Sequence, residues 1–123
     1  MPCSKLHVQS YGLFWFLSTV YLVHAAFFDT NLSTDTVFNL IVRRPRVAGG
    51  TLTIPIDSSV RLVKCSRGEA RYNTIRLRYG ISRKCLILRA SDTLERDKWL
   101  VGIIQAMAAL QNIGPYLPIS AVD

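Results

Sequence analysis

The sequence predicts an α+β fold in which one C-terminal α-helix packs against an antiparallel sheet. Four short segments between residues 51 and 90 alternate apolar and polar side chains, which is typical of half-buried strands. The segment from residue 92 to 111 instead repeats apolar side chains at helical spacing. A run of strands followed by a helix is the order of an α+β domain, and 123 residues suffice for one domain with its own core.

The first apolar stretch, GLFWFLSTVYLVHAAFF at residues 12–28, contains no Lys, Arg, Asp or Glu. Two strands separated by Ser18 and Thr19 would place its bulky side chains in the wall of a sheet. A secretory signal over residues 1–25, cleaved before Ala26, also fits the pattern. A transmembrane helix is the third interpretation, although the stretch lies at the lower limit of length for a span. We favour the pair of strands.

The middle of the chain begins with a basic segment, VRRPR, within residues 29–50, and then becomes a series of strands. TLTIPI, SVRLVKC, NTIRLRY and KCLILRA each place aliphatic side chains on one face. They predict strands near residues 51–56, 59–65, 73–79 and 84–90. Pro55 restricts the first of these strands to a sheet edge or to its own end. SRGEARYN and GISR have the composition of hairpin loops, and we expect Arg76 and Arg78 to be ordinary surface residues.

The last element is an amphipathic helix over about residues 92–111. Asp92 and Glu95 have the spacing of a capping box, and Gly114 before a proline ends the helix. Residues 113–123 would then form a C-terminal tail. The apolar stripe of the helix predicts that it covers the sheet with Trp99, Ile103, Ala106 and Leu110, widened by Leu100, Ile104 and Met107.

Two segments together carry a family resemblance: the strand region TIPIDSSVRLV and the helix entry LRASDTLERDKWLVGIIQAM. In the second, a small residue, a Ser-Asp turn and a Glu-Arg pair precede one tryptophan, and these places hold Ala90, Ser91, Asp92, Glu95, Arg96 and Trp99. From Thr51 to Asn112 the chain thereby resembles the C-terminal half of a pleckstrin homology (PH) domain. The resemblance implies a bent antiparallel β-sandwich or barrel capped by the C-terminal helix. Trp99 would have a structural role, as a large buried side chain that closes one end.

The N-terminal third resembles this family less closely, and two arrangements stay open. If residues 12–28 are the third and fourth strands of the family, only MPCSKLHVQS and one tyrosine precede them. The domain is then truncated at its N-terminus, and residues 29–50 are a basic insertion. If the sheet instead starts at Leu13 and TVFNLIVR adds a strand, seven strands precede the helix. We favour the truncated arrangement, and in both cases residues 1–112 form a single PH-like domain.

The charge of the chain points to an anionic partner. Fifteen Lys and Arg against eight Asp and Glu give a formal net charge of +7, which favours phospholipid head groups or another acidic surface. With the resemblance, it implies a non-catalytic adaptor domain of an intracellular signalling protein, recruited to phosphoinositide-containing membrane as a cytoplasmic, peripheral membrane protein. Arginine suits bidentate phosphate contacts, and the candidate phosphate-binding residues are Arg43, Arg44, Arg46, Arg83 and Lys84.

The sequence departs from the family at one point that concerns this site. In lipid-binding PH domains the basic residues that bind phosphate usually lie in the first two strands and the loop between them. No segment before Arg43 in this sequence supplies such a group of basic residues. Other members of the family bind a protein instead, such as a neighbouring exchange factor for a small GTPase, and this alternative stays open. Nucleic acid is not expected as a partner, because Tyr72 and Tyr79 would alternate inward, where they cannot stack on bases.

Neither an enzyme nor a cofactor nor a metal site is expected. The chain has no motif of a nucleophile elbow, phosphate-binding loop or zinc protease, and His7 and His24 have no partner at motif spacing. The three cysteines form no CxxC pair, which favours a reduced, intracellular compartment. A secreted or membrane protein that carries residues 1–25 as a signal segment is the remaining alternative.

Overall fold

The computed structural model describes residues 3–24 and 38–113, with the side chains of residues 110–113 excepted. The expected cleavage position at Ala26 and residues 114–123 of the expected tail lie outside this part. In chain order the elements are β1 (Cys3–Ser10), β2 (Phe14–His24), β3 (Phe38–Arg43), a 3-10 turn (Arg46–Ala48), β4 (Thr51–Pro55), β5 (Arg61–Val63), α1 (Arg67–Arg71), β6 (Thr74–Tyr79), β7 (Lys84–Arg89) and α2 (Thr93–Ile113).

The seven strands form one antiparallel sheet in the order β4-β3-β2-β1-β7-β6-β5. β1 is the central strand, because it pairs with β2 on one side and with β7 on the other. Within the described part of the chain, β4 and β5 lie at opposite ends of this order, so hydrogen bonding does not close the sheet. The predicted class, an antiparallel sheet followed by one long C-terminal helix, is confirmed.

The apolar stretch near the N-terminus is a strand, but it is one strand and not a pair. Phe14–His24 runs through Ser18 and Thr19 without a break, and these two residues pair with Leu6 and Lys5 of β1. The reversal occurs earlier, at Tyr11 and Gly12, which have φ angles of 60° and 69°. A tight hairpin turn requires such positive φ values, and glycine supplies one of them without strain.

The segment at residues 29–50 is not an insertion throughout, which corrects the favoured arrangement. Phe38–Arg43 forms β3, between β2 and β4, and its Leu40, Ile41 and Val42 are buried. This matches the alternative in which TVFNLIVR adds a strand. Seven strands therefore precede α2, but the first of them is Cys3–Ser10 and not a strand that starts at Leu13.

The hydrophobic core lies between one face of the sheet and α2. β2 contributes Val20 and Leu22, whereas Tyr21 and Val23 fall on the other face. The largest side chains with almost no exposed surface come from seven elements and from the connection between β4 and β5: Leu6, Val8, Val20, Leu40, Val42, Ile54, Ile56, Val60, Ile75, Leu77, Leu88, Trp99 and Ile103.

The C-terminal helix begins and packs as its sequence predicts. The Glu95 backbone N–H donates to Asp92 Oδ1 at 2.7 Å, which caps the helix. Trp99 is fully buried and Ile103 lies one turn further along the same face, whereas Ile104 is about half exposed and does not widen the stripe. Trp99 Nε1 has no hydrogen-bond partner among the described residues, so the indole stabilises the fold by packing.

The segment SRGEARYN forms a short helix, α1, in place of the predicted hairpin loop. Ser66 and Glu69 form a reciprocal capping box, with Ser66 N to Glu69 Oε1 at 2.9 Å and Glu69 N to Ser66 Oγ at 3.2 Å. The second oxygen of Glu69 accepts from Arg76 Nε at 2.6 Å. This ion pair attaches α1 to β6, so Arg76 is a half-buried structural residue and not an ordinary surface arginine.

Candidate functional site

Three connections lie along the same edge of the sheet. The β1–β2 turn defines this edge. β3 runs antiparallel to β2 and β7 antiparallel to β1, so the loop after β3 and the turn before β7 lie there as well. We call residues 11–13, 44–50 and 80–83 together the loop edge.

Hydrogen bonds join the first two of these connections. Tyr11 Oη donates to the Val47 carbonyl at 2.9 Å, and Ser10 Oγ donates to the Ala48 carbonyl at 3.2 Å. The bond from Ser10 is buried, so water competes with it less than with the exposed bond from Tyr11. The β1–β2 turn and the β3–β4 loop therefore form one continuous surface.

Arg44 shapes the β3–β4 loop from within. Its Nε donates to the Gly50 carbonyl at 2.8 Å. Its guanidinium lies so close to Gly49 that a methyl group on that residue would stand 2.8 Å from Arg44 Nη2. Burial raises the pKa of Tyr79, and the charge of Arg44 opposes that rise, so Arg44 lies within electrostatic reach of the end of β6. Of the predicted phosphate-binding residues, Arg44 is thus already used inside the protein.

Each connection of the loop edge exposes at least one apolar side chain. The exposed fractions are 71% for Tyr11 and 69% for Leu13 in the first connection, 69% for Val47 in the second and 102% for Ile81 in the third. Phe14, the first residue of β2, is also more than half exposed. Single exposed apolar residues are common, but a group of them on the tips of adjacent loops marks a surface for interaction.

The structure brings the predicted basic residues to this same edge. Arg43 and Arg46 are exposed beside the β3–β4 loop, and Arg83 and Lys84 are exposed at the β6–β7 turn. In residues 3–24 and 38–109, where side chains are described, the ion pairs join Arg76 to Glu69 and Arg96 to Asp97, and none of them involves these four. Their positive charge is therefore not neutralised by a neighbouring carboxylate.

The site also contains two arginines that were not among the predicted binding residues. Arg61 of β5 and Arg78 of β6 are direct cross-strand partners. Both line a cleft of about 390 Å³ together with Arg83 of the β6–β7 turn. Their separation in the sequence hides this grouping, because only the strand register brings them together.

The side chains of His24 and Arg89 make contacts with aromatic rings that stabilise the fold. The ring of His24 packs edge-on against Phe38 at a centroid distance of 5.3 Å. The Arg89 guanidinium lies between two rings, 4.0 Å from the centroid of Trp15 and 5.0 Å from that of Tyr72. Among the residues that the structure describes, no three His, Cys, Asp or Glu side chains converge as metal ligands would.

The three cysteines, Cys3, Cys65 and Cys85, are free thiols. Cys65 is held in place by a hydrogen bond from Sγ to the Thr74 carbonyl at 3.3 Å. Burial raises the pKa of the Cys65 thiol, and the nearby Glu69 carboxylate acts in the same direction. Because the thiolate is the nucleophilic form, these surroundings make Cys65 a poor nucleophile.

No helix in the described part of the chain has both the length and the apolar character that a membrane span requires. Comparisons of the chain with family models, with curated proteins and with solved structures find no match. Its function must therefore be inferred from the geometry of the loop edge.

Proposed function

We propose that this chain is a PH-like, non-catalytic adaptor domain that binds anionic, phosphoinositide-containing membrane through the loop edge. One observation carries the proposal: exposed apolar side chains, three unneutralised arginines and one lysine occupy the same edge of the sheet. Tyr11, Leu13 and Ile81 can enter the interfacial region of a bilayer. Arg43 and Arg46 can meanwhile face the phosphate groups around them, since interfacial binding combines buried apolar area with attraction to anionic lipid.

The magnitudes suit a reversible peripheral protein. Each Lys or Arg near an anionic leaflet contributes about 1 kcal/mol, so Arg43, Arg46, Arg83 and Lys84 supply about 4 kcal/mol together. The apolar tips add to this in proportion to the area that they bury, at about 25 cal/mol per Å². Neither the electrostatic nor the apolar contribution is large alone, so membrane binding requires both. A membrane with fewer anionic lipids would therefore release the domain.

The PH-like assignment is supported by the order and the packing of the elements. Seven antiparallel strands precede one long helix, and that helix buries Trp99 against the sheet. The proposed site differs from the usual PH-domain site in the location of its basic residues. The basic residues come from the β3–β4 loop and the β6–β7 turn, whereas the β1–β2 turn contributes only apolar side chains.

The apolar part of the proposal is tested by replacing two of the most exposed aliphatic side chains of the loop edge. Leu13→Ser with Ile81→Ser should weaken sedimentation with phosphatidylserine and phosphoinositide vesicles, while the thermal melt stays unchanged because both side chains are exposed. Leu94→Ser with Ile104→Ser is the matched control on α2, where the same two residue types are 80% and 52% exposed. Equal binding by parent and tip variant would exclude apolar insertion, and failure of the parent to bind even at low salt would exclude the membrane function.

A second candidate function is interaction with a protein partner, and the outer side of α2 favours it. Leu94, Val101 and Ile104 are each more than half exposed there. Leu94 and Val101 line an apolar groove that also includes Leu22 and Phe38 from the sheet. The occupant would be an apolar surface of a neighbouring domain, as in PH-like domains that pack against an exchange factor. Loss of such a complex in Leu94→Ser with Ile104→Ser, with vesicle binding retained, would identify this surface.

A further inference from the structure

The side of the sheet that faces away from α2 carries positive charge. Successive side chains of a strand point to opposite faces, so the neighbours of the core residues Val8, Leu77 and Leu88 point away from the helix. The seven strands of the described part of the chain contain no Asp or Glu. The cations that these strands place on this side, which we call the outer sheet face, are Lys5, Arg43, Arg61, Arg76, Arg78 and Arg89.

Two of these cations are available to a ligand near the middle of the sheet. Arg76 is held by its ion pair with Glu69, and Arg61 Nη1 donates to two backbone carbonyls of the β4–β5 connection, each at 2.8 Å. Lys5 and Arg78, in contrast, are exposed, and no ion pair among the described residues includes them. The outer sheet face therefore keeps unneutralised charge on β1 and on β6.

The strand register fixes the distance between these two charges. His7, Arg89 and Thr74 are successive cross-strand partners on β1, β7 and β6. β1 and β6 run in the same direction, because both are antiparallel to β7. Lys5 precedes this row by two residues and Arg78 follows it by four, so the two charges lie about 20 Å apart along the strands, at about 3.4 Å per residue. Two cations at such a separation can contact different phosphates of one extended chain.

Two aromatic rings flank the arginine at the centre of this face. The Arg89 guanidinium lies 4.0 Å from the centroid of Trp15 and 5.0 Å from that of Tyr72. The expectation that Tyr72 points inward is wrong, because it follows α1 and is 58% exposed even with Arg89 against its ring. Since Arg89 already orders this ring, a planar ligand that stacks on it immobilises few additional groups.

From these observations we propose that the outer sheet face binds single-stranded nucleic acid. Lys5 and Arg78 contact phosphates, and an unpaired base stacks on the exposed side of Tyr72. Cations that follow a phosphate backbone together with exposed aromatic rings are what single strands require, and an open sheet face is one of the surfaces that provides them. A bilayer suits this face less well, because the rings of Trp15 and Tyr72 lie against Arg89 and do not project from loop tips.

This inference goes beyond membrane docking and does not depend on it. Lys5, Tyr72 and Arg78 all lie outside the loop edge, so variants of the two surfaces can be tested separately. RNA and DNA share the phosphates and the planar bases that this chemistry recognises. The two are distinguished by using both as probes.

The direct test is fluorescence anisotropy of the whole chain with labelled oligouridylate and oligothymidylate of about twelve nucleotides, a length within the usual site size of single-strand binding proteins. The parent should bind them, and Tyr72→Ala should weaken binding about tenfold, because one base stacked on an aromatic ring contributes affinity of that order. Tyr72→Phe keeps the ring and should bind as the parent does. Unchanged thermal melts would show that both variants fold.

Salt dependence tests the phosphate contacts separately. Lys5→Gln removes one such contact and should lower the slope of log affinity against log salt concentration by about 0.7. Lys98→Gln is the matched control, because Lys98 is also exposed but belongs to α2, on the other side of the sheet. It removes the same charge and should leave the slope unchanged.

Binding of either oligonucleotide with these effects would support the proposal, and the tighter of the two would identify the sugar. No binding by the parent even at low salt, or parent-like binding by Tyr72→Ala, would overturn it. Equal binding of a duplex of the same length would also overturn it, because paired bases are not available to stack on Tyr72. Vesicle binding should be the same in Tyr72→Ala as in the parent. If that variant lost vesicle binding and kept oligonucleotide binding, the face would belong to the membrane site and not to a nucleic acid.

Discussion

Charge reversal at the β3–β4 loop is the sharpest test of docking through the loop edge. Arg43 and Arg46 are exposed and have no carboxylate partner in the described part of the chain. Arg44 is left unchanged, because its hydrogen bond to the Gly50 carbonyl shapes the loop. The variant is therefore Arg43→Glu with Arg46→Glu.

The expected loss follows from the number of charges changed. Each reversal removes about 1 kcal/mol of attraction to an anionic leaflet and adds a repulsion of similar size, so the double variant loses about 4 kcal/mol. Since 1.4 kcal/mol corresponds to a factor of ten, binding to phosphatidylserine and phosphoinositide vesicles should weaken by roughly a thousandfold. Unfolding free energy should change by no more than about 0.5 kcal/mol, because the two side chains are exposed.

Sedimentation with vesicles over a range of salt concentrations measures this loss. Binding by the parent should fall as the Debye length shortens towards about 8 Å at physiological ionic strength. The control, Arg67→Glu with Arg71→Glu, makes the same change of net charge on α1, at the opposite edge of the sheet. If both double variants lost binding equally, net charge and not the loop edge would be responsible. If the loop variant bound as well as the parent, the reasoning would be refuted.

Three further predictions concern the fold. Trp99→Ala should lower the unfolding free energy by about 3–5 kcal/mol, and a denaturant midpoint close to that of the parent would contradict its packing role. Hydrogen bonds from Ser66 N–H and Arg76 lower the pKa of Glu69, so its stabilising effect is present above the ordinary carboxyl pKa and lost as pH falls through the lowered one. Glu69→Gln should therefore flatten the acid side of a stability-against-pH curve, and an unchanged slope would remove Glu69 as a contributor. Because β1 and β2 supply core residues, N-terminal sequencing after expression in secretory cells should find residues 3–24 retained, and a new terminus at Ala26 would support the signal interpretation.

The C-terminal half could be predicted because its signals are local. The alternation in NTIRLRY and KCLILRA produces β6 and β7, and the Asp92 cap with the spacing of Trp99 and Ile103 produces α2. Each of these signals depends only on residues that lie close together in the sequence. The start of α1 also has a local signal, because Ser66 and Glu69 have capping-box spacing, which is typical of a helix N-terminus.

The N-terminal third could not be predicted in the same way, because its turn lies next to a long uncharged apolar run that conceals it. Tyr11 and Gly12 reverse the chain before the long apolar run, whereas Ser18 and Thr19, which look like a turn, continue the strand. Threonine is itself a good strand former, so its polarity was misleading. The cross-strand pair of Arg61 and Arg78 is non-local as well, since register sets it and sequence spacing does not reveal it.

The architecture separates what stabilises the domain from what would bind its partner. α2, which carries the buried Trp99, begins after the end of β7 that points away from the loop edge. The Arg76–Glu69 ion pair neutralises charge on that far side. The arginines of the loop edge have no ion-pair partner in the described residues, so their positive charge is available to orient the domain towards an anionic surface. Substitutions at the two ends should therefore act independently: Trp99→Ala should lower stability, and Arg43→Glu with Arg46→Glu should lower binding at constant stability. A loop-edge variant that lost binding only in proportion to lost stability would mean that unfolding, and not a missing contact, explains the effect.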